Sequence, residues 1–294
     1  MFTEQFDQFV APARAKPQIW RLILGIVLIV VIYLLGIAII FGVIWAFVGA
    51  DKTLQFANGI VSANTPTGMF LLFASFLGAA IAPMLVVRLL HRRNPATLFG
   101  PRALLVSHFA QAAVAVIAVN ALFLAVLSIW IDPVPNLTFS VWITLLPVTI
   151  LGLLVQTGAE ELVFRGYLQQ QLAARFRSPI FWMLLPSLGF AALHYDPATA
   201  GENTWLIVGA TGLFALVAAD LTRITGSLGA AWGFHFANNL WAIVLFAVDG
   251  HITGLALYVT PYSANDTSIL PMLIAGDMVT LVLFWLGLRH FLRR

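Results

Sequence analysis

The sequence predicts an all-α protein: a polytopic transmembrane helical bundle of about eight spans, with both chain ends on the inner side. Three observations predict it. The chain is 61% hydrophobic and only 9% charged, where a soluble domain carries roughly 25% charged residues. Its apolar residues gather into runs, and a helical crossing needs roughly 20 of them. The basic residues are also sorted between the two sides of those runs. With the first span leaving the inner face, thirteen arginines and lysines fall inside, among them Arg175, Arg177, Arg293 and Arg294, and Lys52 alone falls outside. That asymmetry sets orientation.

The elements follow in order. Residues 1–19 form a short interfacial or tail segment, in which "MFTEQFDQFV" sets Phe2, Phe6, Phe9 and Val10 on one helical face. Two readings fit it: a helix lying in the membrane interface and ended by Pro12, or a frayed tail. Three spans, 20–48, 67–90 and 104–131, make an N-terminal unit over 20–131 without specific chemistry. The first is too long for a signal-peptide core and lacks a clear cleavage site, so it counts as a span. Spans 139–162, 179–195, 204–221 and 228–248 form a core over 139–248, the middle two being the shortest. Residues 269–294 hold the last span, 269–289, and a basic tail. Trp20, Trp45, Trp130, Trp205 and Trp285 sit near span ends, as interfacial aromatics do.

Composition also excludes. With no cysteine there are no disulfides, thiol nucleophiles or cysteine-bound metals. No basic stripe interleaved with aromatics points to nucleic acid. The partners expected are the lipid bilayer and a membrane-associated protein or peptide.

Few ionisable side chains lie within the spans: Glu160, Glu161, Arg165, His108, His194, Asp220, His235 and Asp277. A charged group at a bilayer centre costs about 2.5–3.5 kcal/mol on insertion scales, so such residues mark function by default. In "TGAEELVFRGYL", Glu161 and Arg165 are four apart with the acid first, the favourable order for an ion pair. Neighbouring helical residues diverge by about 100°, so Glu160 is left free to face a cavity. If the chain turns at Arg177, Glu160 lies 17 residues before that turn and His194 17 residues after it. Two antiparallel helices then hold both at one depth. His235 lies about 15 Å beyond the inner turn at "RITGS", and Asn239 shares its helix face.

A carboxylate in a dry site resists ionisation, and a nearby guanidinium restores it. That balance suits a general base taking a proton from water. A second histidine and an amide can donate to a developing oxyanion. Together these groups can run amide hydrolysis. Glu160, His194 and His235 are also acceptable ligands for a divalent metal such as zinc, with water in the fourth position. Cofactor use therefore stays open between a metal and none. The zincin HExxH arrangement is absent.

"EELVFRGYL", "FAALH" and "HFANN" read as EExxxR, FxxxH and HxxxN motifs on successive hydrophobic segments. In that combination the sequence resembles the CPBP intramembrane protease family, also called Abi or CAAX protease-like. The resemblance covers about 155–245. It implies Glu160 and His194 as the pair activating water, His235 and Asn239 as oxyanion stabilisers, and Glu161 and Arg165 as their support. The family is labelled metalloprotease, yet a metal-free glutamate mechanism is also proposed for it. The expected location is the cytoplasmic membrane of a prokaryote. A reading of another class is non-enzymatic: an immunity or partner-binding factor, or a proton-coupled transporter using Glu160 and His194 as a relay. Asp277 has no role in the protease reading.

Overall fold

The computed structural model describes residues 2–127 and 132–292. Trp130, Arg293 and Arg294 lie outside the described residues. A short helix, α1 (Glu4–Val10), opens the chain. Then follow α2 (Ile19–Val48), α3 (Ala50–Ser62), α4 (Pro66–Leu89) and α5 (Arg102–Leu127). Helix α6 (Phe139–Glu161) runs without a break through a π-helical stretch, Leu162–Gln169, into α7 (Gln170–Arg175), making one long rod. The return arm is a π turn, Ile180–Leu184, followed by α8 (Leu185–Ala192). Then come α9 (Pro197–Ala200), α10 (Thr204–Thr225), α11 (Gly229–Asn239) and finally α12 (Leu270–Leu292).

Among the described residues six helical stretches are long and apolar enough to cross a membrane. The expectation of about eight spans is corrected to about six, and the all-helical bundle stands. The two that fall short are 179–195 and 228–248. The first is a return arm of 13 residues, Ile180–Ala192, about 20 Å of helix against about 30 Å of hydrocarbon. The second contains α11, of only 11 residues, eight of them buried by protein. Its apolarity serves packing, because protein and not lipid surrounds it. After Asn239 the chain makes a π turn, Leu240–Leu245, and leaves the helix. By contrast, only 11% of the most apolar window of α2 is buried inside the protein.

The packing explains how the short helix sits so deep. Gly229 and Gly233 of α11 lie where a Cβ would strike the Leu105 and Phe109 carbonyls of α5. Backbones approach closely only where side chains are this small. Helices α2 and α4 meet in the same way, a Cβ on Gly36 reaching Gly78 at 3.2 Å.

Two features correct or extend the expectations. The apolar face of α1 is turned to the protein: Phe6, Phe9 and Val10 are buried. Phe6 packs on Trp182 with ring centroids 5.0 Å apart. Thr3 caps the helix by accepting from the Phe6 amide and donates to the Arg223 carbonyl at 2.6 Å. Second, the loops opposite the arginine-rich turns carry strands that apolar periodicity did not suggest: β1 (Val134–Pro135), β2 (Phe246–Asp249) and β3 (Tyr258–Ser263). They form one sheet in the order β1-β3-β2, with β3 antiparallel to β1 and parallel to β2.

Candidate active site

The polar groups of the α6 rod lie on its protein-facing side. Thr157 donates to the Leu153 carbonyl at 2.8 Å and accepts from the Trp232 indole at 3.1 Å, pinning α11 to α6. One turn further, Glu161 is fully buried. Its Oε1 accepts from Arg165 Nη1 at 3.1 Å and from His235 Nδ1–H at 2.8 Å. Arg165 is also buried; its Nη2 donates to the Ala215 carbonyl at 3.0 Å and its guanidinium lies over the Phe190 ring at 4.9 Å. The Glu161–Arg165 pair thus joins α6, α10 and α11. Removing either partner of so buried a pair costs about 3–5 kcal/mol.

The bond to Glu161 fixes the His235 ring. With Nδ1–H donating to the carboxylate, Nε2 is turned toward the cavity. There Glu160 Oε2 lies at 3.4 Å and Asn239 Nδ2 at 3.2 Å. The Asn239 amide also donates to Gln156 Oε1 at 3.2 Å. Phe190 and Phe214 meet the imidazole edge-on, at 6.1 and 4.9 Å between centroids. The arrangement is a chain of charge and hydrogen bonds, Arg165–Glu161–His235–Glu160, with Asn239 beside its last link. It begins in the protein interior and ends on a cavity. The rod turns π-helical directly after Glu161, and the helix of His235 does so directly after Asn239. Such π insertions are frequent at functional sites.

The cavity holds about 390 Å³, within the range of small-ligand sites. Its polar lining includes Gln156, Glu160, His194, His235, Asn239 and Asp277; Phe190, Phe214, Ile274 and Leu281 supply apolar wall. His194 stands on this wall just past the end of α8, its Nδ1–H donating to the Phe190 carbonyl at 2.9 Å. Its Nε2 is therefore an acceptor. Among the described residues no ion-pair contact joins Glu160 to His194; the imidazole next to Glu160 is His235.

The same distances test the metal option. Among the described residues no three His, Cys, Asp or Glu side chains are grouped as ligands for one ion. Each of His194 and His235 has its Nδ1–H bonded to a protein acceptor and Nε2 left over, the tautomer a metal ligand would use, and Nε2 of His235 lies beside the Asn239 amide.

Two residues of this wall carried no role in the sequence reading. Gln156 holds Asn239; its signal was an amide one turn ahead of Glu160 on the same face. Asp277 arrives from the last helix, far from the motifs. Asp220 lies outside the site: it pairs with Arg223 at 2.7 Å and Arg289 at 2.9 Å, and the Trp285 indole donates to it at 2.8 Å.

Fold and site define an integral membrane protein with a carboxylate–imidazole–amide constellation opening on an internal cavity. Residues 141–241, about a third of the chain, match the family described as "Type II CAAX prenyl endopeptidase Rce1-like". All three motifs fall inside that range. The family supports an intramembrane protease of CAAX type. The chain is also 26% identical over 258 residues to "Uncharacterized protein YyaK" of Bacillus subtilis (strain 168), covering 84% of this chain and 85% of that protein. No solved structure matches.

Proposed function

We propose that the protein is an endopeptidase whose core over 139–248 hydrolyses a peptide bond of a membrane-associated protein or peptide. One observation carries this reading: the run Arg165–Glu161–His235–Glu160 ends, with Asn239, on a cavity large enough for a peptide segment.

A water molecule donates one hydrogen to His194 Nε2, an acceptor because Nδ1–H is bonded to the Phe190 carbonyl, and the other to Glu160. Glu160 takes that proton as the water oxygen attacks the carbonyl carbon. The oxyanion accepts from the Asn239 amide and is faced by the His235 ring, which Glu161 holds in place through Nδ1–H. Donors already in place before charge develops are what make such sites effective. The tetrahedral intermediate collapses, the C–N bond breaks, and Glu160 returns its proton to the leaving amine. Arg165 holds Glu161 in position. The bacterial relative is consistent with residence in the cytoplasmic membrane of a prokaryote.

The test is cleavage of a peptide library by purified protein in detergent, read by mass spectrometry, for wild type and Glu160→Ala. Cleavage by wild type and its loss in a variant that unfolds at the same temperature are expected. Undiminished cleavage by the variant, or a wild type that cuts nothing, overturns the reading.

A further inference from the structure

Asp277 is the one ionisable side chain of the cavity wall that the proposed mechanism leaves idle. It comes from α12, where Ile274, Asp277 and Leu281 all line the cavity. Spacings of three and four residues place them on one helix face, so the acid sits in an apolar stripe directed at the site. Asp277 makes no hydrogen bond or ion pair with any described residue.

Asp220, at the interface of the same two helices, α10 and α12, shows what a structural carboxylate looks like in this protein. It is held by Arg223, Arg289 and the Trp285 indole. Nothing comparable serves Asp277. Among the described residues no lysine or arginine lines the cavity, and Arg165 is engaged by Glu161 and the Ala215 carbonyl. The wall therefore presents two carboxylates, Glu160 and Asp277, and no fixed cation. A mid-membrane acid without a partner is costly to keep, and away from bulk water opposite charges attract more strongly.

We infer that Asp277 is a specificity-determining residue that receives a cationic side chain, lysine or arginine, of the substrate segment lying in the cavity. The inference rests on the proposal that the cavity is the peptide-binding site. A basic residue supplies the partner the protein withholds. A neutral residue of the same shape would cover the carboxylate and leave it unmatched, which is how a polar site rejects an apolar analogue.

Binding, not turnover, is the readout. A short, dye-labelled apolar peptide carries one lysine, moved through its central positions, and each version has a norleucine counterpart. Affinities are measured by fluorescence anisotropy for the Glu160→Gln protein in detergent. At one or more positions lysine should tighten Kd at least about tenfold over norleucine. Adding Asp277→Asn should erase that preference, and adding Asp277→Glu should keep it. Equal affinities at every position overturn the inference, and this arm requires no change at Asp277. So does a lysine preference that survives Asp277→Asn. Failure of wild type to hydrolyse any peptide would sink the peptidase reading and leave the cation preference measurable. Hydrolysis without a lysine preference would sink the role of Asp277 alone.

Discussion

His235 and His91 are 2% and 3% exposed and both pack against the rod that runs from α6 to α7, yet their neighbours are opposites. His235 has a carboxylate on each side, Glu161 at 2.8 Å from Nδ1 and Glu160 at 3.4 Å from Nε2. His91, just beyond the end of α4, has none. Its Nδ1–H donates to the Lys16 carbonyl at 3.3 Å and its Nε2 accepts from the Tyr167 hydroxyl at 3.0 Å. Burial first, and the charge of Arg93 second, hold His91 down at about 4. Burial without a carboxylate keeps the His91 imidazole neutral and structural. A carboxylate on each side instead ties the His235 ring into the polar network of the cavity.

The comparison can be broken or sharpened by substitution. The largest effect belongs at the open end of the acidic cluster. Glu160→Ala should lower peptide cleavage by about 10²–10⁴-fold, the usual worth of a general base, with little change in the thermal midpoint. Next comes the closed end. Glu161→Gln leaves Arg165 buried beside an uncharged amide and should cost about 3–5 kcal/mol of stability. Thermal unfolding in detergent reads this directly, and a stability equal to wild type would show that the pair is not holding α6 to α11. Asn239→Ala should cost about 10²–10³-fold in kcat, the range for one oxyanion donor, with KM largely kept.

The smallest effect lies at the other histidine. His91→Gln should leave cleavage at pH 7 unchanged. The unfolded chain protonates this imidazole near 6.5 and the folded chain only near 4. The unfolded state therefore binds more protons between those values, and stability must fall as pH drops from about 6.5 to about 4. Midpoints measured against pH should show that component in wild type and lack it in the variant. Parallel curves would mean that His91 is not held neutral.

How much of this was legible beforehand depends on the range of each interaction. Glu161 and Arg165 pair four residues apart on one helix, and that spacing is written in the chain. The turn near Arg177 was also readable, because a basic break between apolar runs has few alternatives. The count of crossings was not. Residues 228–248 are as apolar as a lipid-facing segment, but α11 owes its apolarity to α5, α6 and α10 around it. The apolar face of α1 was visible but its partner was not: Phe6 and Phe9 needed an apolar surface, and Trp182 provides one.

The chain's composition and local spacings settle that it is a helical membrane protein, which polar groups lie among its apolar runs, and that one acid is paired with Arg165. These follow from hydrogen bonding and hydrophobicity along a single helix, so no partner helix has to be known. Which imidazole stands beside Glu160, how an acid from the last helix reaches the same cavity, and which apolar segments avoid lipid all depend on how the helices are placed against one another. Contacts between residues 74 or more positions apart, such as Glu161 with His235, are set by the packing of whole faces, and no local pattern encodes them.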